Sequence, residues 1–466
     1  LKRIHLVTDE YWYASHWSND SKQLLMWRRV SALESYPAVF DFSTNKLTML
    51  PTATKDPAFY TNLLFSPDGR EVYMTTDAFS EFHELVAFNR ETGKYTRLTA
   101  DIPWDVDETT IDRKSGSIAF TVNQEGTSRL FVREHGGTRR ELPLPAQCIV
   151  SDARFSVDGK KLGFTLHSPT APRDVFSVDL KSGELTRWTH SVTGGLNPNS
   201  FVEPTLVSYP SFDGRKISAF LYRPPQAGPK NPVPTIIMIH GGPASQYRPV
   251  FSSRIQYYVG QLGCAVICPN VRGSSGYGKT FLALDNGMKR EDSVRDIGAL
   301  LDWIVSQKDL DAKRVAVTGR SYGGYMVLAS LVHYSDRLRA GIEAAGIANF
   351  ASFLEHTESY RQNRRRVEYG DERTEEMRAF FDRIAPSRNA AKIQTPLLVV
   401  HGVNDPRVPF SEAQKIVNRL ISLDRDVWGI YVGNEGHIFR KRSNTDYIRV
   451  VEVMFLQRHL ALRNVQ

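Results

Sequence analysis

The sequence predicts two domains, an all-β repeat domain followed by an α/β domain. A chain of 466 residues exceeds what a single hydrophobic core normally serves. The first 200 residues repeat a strand-and-turn pattern, whereas strands and helices alternate from Pro234 onward, which favours a mostly parallel sheet covered on both faces. We therefore expect domains at 1–200 and 201–466, with the boundary near the Gly-, Pro- and Asn-rich stretch 191–199.

A weak internal repeat runs through the first 195 residues. Each unit begins with a polar turn containing Asp or Gly and continues as an apolar strand; the units start at Ser18, Ser66, Asp112 and Ser156. This spacing is close to the period of about 40–50 residues that is typical of one propeller blade. Second turn signals at 91–94 and 181–184 indicate four strands per blade. We predict about four blades of a β-propeller.

A candidate nucleophile lies in the Gly-Arg-Ser-Tyr-Gly motif at 319–323. Residues 314–318 predict a short buried strand before it, and residues 325–331 predict a packed helix after it. In this context the flanking glycines permit a sharp turn that lifts Ser321 Oγ clear of the sheet, with the Tyr322 N–H facing the attacked carbonyl oxygen. A small-residue turn without chemistry is the alternative for the motif alone.

Two later loops supply an acid and a base in the order that an α/β-hydrolase fold requires. Asp405 follows the apolar strand 396–400, and His437 follows a predicted strand at 427–432. Open parallel sheets carry their functional loops just past such strand ends. We predict a triad in which Ser321 is the nucleophile, His437 the base and Asp405 its orienter. A structural role is credible for Asp405 or His437 alone, but not for all three residues together.

A second oxyanion donor is predicted beside the Tyr322 N–H, since losing one such donor typically costs about 3 kcal/mol. The motif His-Gly-Gly-Pro at 240–243 follows an apolar strand, where hydrolases carry their glycine-rich oxyanion loop. We assign the donor to the backbone of Gly242, with Gly241 as the alternative. A Gly- and Pro-rich turn without function is the structural alternative.

The motifs at 240–243, 270–278 and 319–325, the Asp405 loop and residues 435–437 together resemble the prolyl oligopeptidase family of serine peptidases, most closely its acylaminoacyl-peptidase-like branch. The resemblance implies a C-terminal α/β-hydrolase domain. It also implies an N-terminal propeller that admits short peptides to the active site and excludes folded proteins. It also implies that Arg407 binds a peptide carbonyl of the substrate. Some relatives have an oxyanion tyrosine at the position of His240, so an all-backbone oxyanion hole is our inference here.

The family resemblance also implies a larger closed ring than four blades. An incomplete ring leaves an edge strand unpaired, which proteins usually cover. We therefore expect a partial propeller, either because the chain lacks an N-terminal portion of the native protein or because another segment completes its blades.

Two functions from different classes remain. The first is a serine peptidase that hydrolyses short peptides through an acyl-enzyme, and the second is a carboxylesterase-type serine hydrolase. The Ser, His and Asp residues specify acyl transfer without selecting amide over ester. The N-terminal repeats favour the peptidase, since lipases rarely need them, whereas a non-catalytic scaffold conflicts with a complete triad.

Composition excludes several other classes. The net charge of +8 is dispersed and does not argue for nucleic acid; the arginine run 361–366 is interpreted as a solvated face, with a site for acidic groups or a partner as the alternative. No apolar run approaches the roughly 18 residues of a membrane helix. We expect no metal, cofactor or membrane partner; a homo-oligomer is compatible with the sequence. We expect a cytoplasmic protein, although a leader could be missing before Leu1.

An insertion at 349–390 interrupts the strand and helix alternation close to the expected substrate position. Some of its aromatic side chains are predicted to line the specificity pocket, with ordinary helix packing as the alternative. These side chains are Phe350, Phe353, Tyr360, Phe380 and Phe381. The three cysteines, Cys148, Cys264 and Cys268, are expected to be buried thiols without a disulfide framework.

Overall fold

The computed structural model describes residues 10–462. The chain divides into two compact units. The first contains the described residues up to Leu196 together with 248–251 and 275–282, and the second contains the remaining described residues. We propose 1–200 and 201–466 as the limits of the corresponding domains.

The described part of the first unit contains four antiparallel sheets of four strands, and in each sheet the strands follow one another as in the sequence. These sheets are the predicted propeller blades. Their strands are β1 (Tyr11–Trp17), β2 (Gln23–Arg29), β3 (Ser35–Asp41), β4 (Lys46–Met49), β5 (Tyr60–Phe65), β6 (Glu71–Thr76), β7 (Glu84–Asn89), β8 (Tyr95–Arg97), β9 (Asp105–Ile111), β10 (Ile118–Gln124), β11 (Thr127–Arg133), β12 (Arg139–Leu142), β13 (Ile149–Phe155), β14 (Lys161–His167), β15 (Asp174–Asp179) and β16 (Leu185–Arg187).

The turn that marks each repeat has a local physical cause. In the second blade, Ser66 Oγ donates to Asp68 Oδ1 at 2.7 Å, and the same oxygen accepts the N–H of Arg70 at 3.1 Å. Gly69 has φ +72°, which glycine adopts without steric cost. The fourth blade repeats this arrangement with the Ser-Val-Asp-Gly turn at 156–159. The shared spacing of Ser, Asp and Gly in these two blades therefore specifies their hairpins.

Apolar clusters join each blade to the next. Each cluster contains buried side chains from two consecutive sheets, so a blade buries its faces only against its neighbours. Representative members are Leu25 with Val72, Tyr73 with Phe120, and Leu130 with Leu162.

The second unit is built on an eight-stranded sheet with the order β17-β18-β20-β19-β21-β22-β23-β24. The hairpin β17–β18 is antiparallel, β18 pairs antiparallel with β20, and the remaining neighbours are parallel. This sheet, with its helices, is the predicted α/β-hydrolase domain. Its strands are β17 (Thr205–Pro210), β18 (Lys216–Tyr222), β19 (Val233–Ile239), β20 (Ala265–Asn270), β21 (Leu310–Arg320), β22 (Ala340–Ala344), β23 (Leu397–Gly402) and β24 (Val427–Val432).

Nine α-helices lie within residues 10–462. They are α1 (Ser253–Gly260), α2 (Lys279–Leu282), α3 (Asp292–Ser306), α4 (Tyr322–Tyr334), α5 (Phe350–His356), α6 (Ser359–Tyr369), α7 (Glu375–Ile384), α8 (Phe410–Ser422) and α9 (Arg442–His459). The sequence predicts the start of α9 at Tyr447, five residues late, because its first turn is polar and carries no apolar periodicity. None of these helices is long and apolar enough to cross a membrane.

Two interior strands of the sheet, β20 and β23, are buried along their whole length. Their continuous apolar character reflects cover on both faces of a parallel sheet. The free thiols of Cys264 and Cys268 lie in this core, and that of Cys148 lies between blades, as the sequence predicts.

A buried ion pair fixes the loop after β20. The Arg272 side chain is 3% exposed, and it contacts the fully buried Asp296 of α3 through Nη2 at 2.8 Å. Its Nη2 also reaches Asp213 at 3.2 Å, and its guanidinium stacks on Phe212 at 4.2 Å. Ser211 Oγ donates to the same Asp296 carboxylate at 2.5 Å. One carboxylate thus joins the β17–β18 hairpin, the β20 loop and α3.

We expect Arg272→Met to lower the free energy of unfolding of this unit by about 3–5 kcal/mol, because it leaves the Asp296 carboxylate buried without its partner. Urea denaturation of the full chain measures this loss. The double variant Arg272→Met/Asp296→Leu should recover part of it, since no buried charge remains. Arg442→Met, in a pair whose arginine is 94% exposed, serves as the control and should change stability by less than about 1 kcal/mol. A single variant as stable as this control would contradict the role of the pair.

Candidate active site

Ser321 occupies a strained turn between β21 and α4. Its φ of 60° and ψ of −121° are unusual for a residue with a side chain, and such strain concentrates at functional positions. Close backbone packing enforces the turn. A Cβ at Gly319 would lie 2.3 Å from Gly323 O, and a Cβ at Gly323 would lie 2.4 Å from Ile239 O. Both glycines of the motif are therefore required by the space available, as expected for a nucleophile elbow.

Tyr322, the first residue of α4, is anchored by a buried polar cluster. Its hydroxyl donates to Asp285 Oδ2 at 2.8 Å and lies 2.8 Å from Ser293 Oγ. Arg290 pairs with the same carboxylate at 2.5 Å, yet burial still raises the pKa of Asp285 to about 6. The N–H groups of a helix's first turn have no intrahelical acceptor. Anchoring the ring fixes the start of α4, where the Tyr322 N–H is the predicted oxyanion donor.

Asp405 and His437 form the acid and base part of the predicted triad. Asp405 Oδ2 accepts a hydrogen bond of 2.6 Å from His437 Nδ1, and the two side chains are 0% and 9% exposed. Asp405 Oδ1 accepts the N–H groups of Arg407 and Val408 at 2.8 and 3.1 Å. Burial opposes ionisation of Asp405, but the hydrogen bonds from His437 and the two N–H groups outweigh it and lower the pKa. The carboxylate is thus held ionised against the imidazole.

The His437 loop folds back across the carboxyl edge of the sheet toward Ser321. The strands β21, β22, β23 and β24 are parallel neighbours, so the three predicted triad residues follow strand ends at one edge. Glu435 O accepts the Asn404 N–H at 3.0 Å, which joins the acid and base loops. Arg320 Nη1 donates to His437 O at 3.4 Å, beside the serine turn.

No hydrogen bond joins Ser321 Oγ to the His437 imidazole, both of which lie in the described part of the chain. Catalytic hydrogen bonds are often long in unliganded enzymes and tighten with substrate bound. The structure therefore assembles the Asp405–His437 pair fully and brings the serine turn to the same edge. The role of the three residues as one triad stays a prediction.

The predicted oxyanion loop passes directly against the serine turn. A Cβ at Gly241 would lie 3.5 Å from Ser321 Cβ and 3.0 Å from Arg320 O. Gly242 has φ +141°, a conformation that side chains rarely adopt. Its carbonyl accepts hydrogen bonds from α6, so its own N–H is presented by a loop fixed on one side. The choice of Gly242 over Gly241 stays a prediction.

His240 does not replace the tyrosine hydroxyl of some relatives. Its Nδ1–H donates to Gly241 O at 2.8 Å, and its Nε2 lies 2.9 Å from Ser274 Oγ. Burial lowers the pKa of His240, so the imidazole is neutral. Both of its nitrogens are used in contacts that hold the 240–243 loop.

His401 is a functional neighbour that sequence reasoning missed. Its side chain is completely buried at the end of β23, and its Nε2 lies 3.5 Å from Asp405 Oδ2. The Nε2–H donates to Val408 O at 3.0 Å, and burial lowers the pKa of His401. His401 therefore lies beside the Asp405 carboxylate as a neutral ring. Its position four residues before Asp405 was the available signal.

The arginine run 361–366 is not the solvated face that the sequence suggests. Arg365 and Arg366 are only 15% and 13% exposed and pair with Glu368 and Glu372 respectively. The run lies on α6, which packs onto the oxyanion loop through Arg365 Nη1 and Gly242 O at 3.3 Å. Charge patterning alone could not reveal this, because the helix buries a polar face.

The aromatic side chains of the insertion mostly pack among themselves. Phe350, Phe353, Phe380 and Phe381 are buried, and Phe350 lies 5.6 Å from Phe381 between ring centroids. Tyr360 is the exposed exception. The packing interpretation is therefore the better one for the four phenylalanines.

Arg407 lies on the exposed side of the Asp405 loop. Its backbone is fixed at both ends, because its N–H donates to Asp405 and its carbonyl accepts from Thr357 Oγ1 at 2.8 Å. Its guanidinium forms no ion pair with any residue in the range 10–462, and the residue is exposed. This arrangement leaves its five donors available to a ligand.

Comparison with known proteins agrees with this site. The family model described as "Prolyl oligopeptidase family" matches residues 249–463. Dipeptidyl aminopeptidase BIII of Pseudoxanthomonas mexicana is 27% identical over 415 residues, covering 85% of this chain and 59% of the relative. The acylamino-acid-releasing enzyme of Homo sapiens is 27% identical over 319 residues, covering 66% of this chain and 42% of the relative. The chain thus spans about half the length of these curated relatives.

A solved structure of puromycin hydrolase has the same fold. It superposes with a TM-score of 0.87 at 20% identity, covering 97% of this chain and 71% of that one. The matched region contains the serine turn and the acid and base loops, and the relatives include the acylamino-acid-releasing enzymes to which the motifs point. Residues 249–463 therefore match the prolyl oligopeptidase family, which confirms the resemblance seen in the sequence.

Proposed function

We propose that this protein is a serine peptidase that hydrolyses short peptides through a Ser321–His437–Asp405 triad and an acyl-enzyme intermediate. The observation that carries the proposal is the buried 2.6 Å hydrogen bond between Asp405 and His437, at the sheet edge that also carries the strained Ser321 turn. A loop with only a structural role would not require a buried, ionised carboxylate that is hydrogen-bonded to an imidazole nitrogen.

Acylation begins when Ser321 Oγ attacks the scissile carbonyl carbon. His437 Nε2 takes the hydroxyl proton, and Asp405 stabilises the resulting imidazolium through the Nδ1–H hydrogen bond. Negative charge develops on the carbonyl oxygen, where the N–H groups of Tyr322 and Gly242 donate to it. The C–N bond then breaks, His437 gives its proton to the leaving amine, and the acyl group stays on Ser321.

Deacylation repeats these steps with water. His437 accepts a proton from the water that attacks the ester carbon, the same two N–H groups stabilise the oxyanion, and the Ser321 C–O bond breaks. The proton returns to Ser321 Oγ, and the product leaves as a carboxylate. Each step uses the Asp405–His437 pair in the same geometry, so one preformed pair serves both halves of the reaction.

Peptides are the proposed substrates because relatives named as an aminopeptidase and as an acylamino-acid-releasing enzyme match the region that contains the triad. Arg407 is proposed to donate to a peptide carbonyl, which an exposed guanidinium two residues after Asp405 can reach. A carboxylesterase-type hydrolase remains the alternative, since the same groups catalyse ester cleavage. A cytoplasmic location is part of the proposal, and the free, buried cysteines are compatible with a reducing compartment.

We expect Ser321→Ala to abolish both peptide hydrolysis and labelling by a fluorophosphonate probe, because the nucleophile is lost. Mass spectrometry of the labelled wild-type chain should locate the probe on Ser321. Ser330→Ala, which changes a buried hydroxyl of the same helix, serves as the control and should retain labelling. Labelling that persists at another serine in the Ser321→Ala protein would overturn the assignment.

We expect Asp405→Asn to slow turnover by about 10⁴-fold while the protein remains folded, as removal of the orienting charge does in serine proteases. The asparagine oxygen can still accept the two loop N–H groups, so the loss should appear in kcat rather than in thermal stability. Asp302→Asn, at a side chain 76% exposed, is the matched control. A rate within tenfold of wild type would exclude Asp405 as the triad acid.

We expect Arg407→Ala to reduce kcat/KM for peptides by about 10- to 100-fold, the range for one charge-assisted hydrogen bond. Hydrolysis of a nitrophenyl ester, which lacks the peptide carbonyl, should change much less. Parallel assays of the two substrates measure the difference, with Arg442→Ala as a surface control. Equal losses on both substrates would contradict the carbonyl contact.

A further inference from the structure

One face of α6 joins the acid loop to the oxyanion loop. Arg361, Arg365 and Tyr369 are spaced four residues apart and therefore lie on the same face of the helix. At its carboxyl end, Arg365 Nη1 and Tyr369 Oη each donate to Gly242 O at 3.3 Å. This end of the face thus lies on the loop that carries the proposed Gly242 oxyanion donor.

The other end of α6 is tied to the loop of Asp405. Glu358, at the start of the helix, donates its N–H to Pro406 O at 3.5 Å. Thr357 Oγ1 donates to Arg407 O at 2.8 Å. Arg361, one turn further along, is thereby held between the acid loop and the oxyanion loop of the same unit.

The charges on this face do not balance. Arg365 has an acidic partner, because its Nη1 lies 2.6 Å from Glu368 Oε2. Arg361 has no acidic partner. Its Nε is buried and donates no hydrogen bond, and its side chain forms no ion pair within the described residues. Arg407, whose guanidinium is equally unpaired by the residues of 10–462, lies close enough to interact with it electrostatically.

The electrostatic consequence is seen in Arg361 itself. Burial lowers the pKa of Arg361, and the positive charges of Arg365, Arg407 and Arg364 lower it further. A half-buried guanidinium that faces other cations is unfavourable unless an anion neutralises it. The surplus of positive charge lies beside the predicted catalytic residues, where a substrate is bound in every turnover.

We propose that Arg361 forms a binding site for a carboxylate of the peptide substrate, next to Arg407 and its proposed contact with a peptide carbonyl. The inference rests on the proposed peptidase function and deepens it by naming the substrate class, acidic peptides. The carboxylate has two sources, an Asp or Glu side chain near the scissile bond or the free C-terminus of a short peptide. Both present the planar pair of oxygens that a guanidinium binds with two parallel hydrogen bonds.

A purely structural role for Arg361 makes a different prediction. An arginine that only supports α6 would affect all substrates equally, whatever their charge, because it would act through the position of the helix. A carboxylate site instead affects charged substrates selectively. Discrimination between acid and amide at one position therefore separates the two roles.

The test compares peptide pairs that differ only in charge. One pair has Glu or Gln before the scissile bond, and a second pair has a free or an amidated C-terminus. The full chain and the variants Arg361→Gln, Arg361→Lys and Arg373→Gln are assayed for kcat/KM. Arg373→Gln is the matched control, because this substitution removes the same charge from an exposed arginine that pairs with Asp371.

The wild type should prefer the carboxylate member of one pair by about tenfold or more, which identifies the source. Arg361→Gln should remove the preference while nitrophenyl ester hydrolysis stays within about twofold. Arg361→Lys should retain part of the preference, and Arg373→Gln should retain all of it. A wild type with no preference in either pair, or an Arg361→Gln protein with an unchanged preference, would overturn the inference.

A binding measurement separates this inference from the proposed catalysis. Calorimetric titration of the Ser321→Ala protein with the same peptides should show tighter binding of the carboxylate member, and Arg361→Gln in that background should abolish the difference. If wild-type hydrolysis and fluorophosphonate labelling are absent but this selectivity is found, the proposed function fails and the carboxylate site stands. Labelling and ester hydrolysis without any charge selectivity would give the opposite result.

Discussion

The strained turn at Ser321 is the constraint on which the site depends. A serine at φ 60° persists only where its surroundings leave no alternative, and here the carbonyls of Gly323 and Ile239 occupy the space that any Cβ at 319 or 323 would need. The turn is therefore enforced by the packing of α4 against the sheet. Because α4 starts one residue after the serine, the same packing fixes the position of the Tyr322 N–H, the predicted oxyanion donor.

Around this turn, buried carboxylates hold neighbouring segments of the unit in place through hydrogen bonds. Asp285 holds the Tyr322 hydroxyl, Asp296 holds the loop after β20, and Asp405 holds both its own loop and His437. Each carboxylate accepts at least two hydrogen bonds, which offset part of the cost of burying its charge. Arg361 departs from this pattern, since its Nε has no hydrogen-bond partner and no carboxylate of residues 10–462 forms an ion pair with this partly buried cation. The departure lies beside the predicted catalytic residues, where we propose that a substrate carboxylate supplies the missing partner.

Local sequence signals predicted those features that depend on a few neighbouring residues. The Ser-x-Asp-Gly turns identified the blades because their hydrogen bonds close within five residues. The glycines around Ser321 identified the elbow for a similar reason. The arginine run 361–366 was misjudged, because only the fold shows that α6 buries a charged face. His401 was overlooked because its contact with Asp405 requires the loop to curl back over the strand end.

The sequence by itself determined the fold class and the blade repeat, and it predicted a nucleophile, an acid and a base, since each follows from periodicity or from a motif of adjacent residues. Only the tertiary structure decided how the His437 loop crosses the sheet edge, which arginines are neutralised and which stay unpaired. Such features depend on contacts between residues more than a hundred positions apart, as between Arg365 and Gly242. The sequence shows which side chains are charged, but the tertiary structure decides which of these charges are paired.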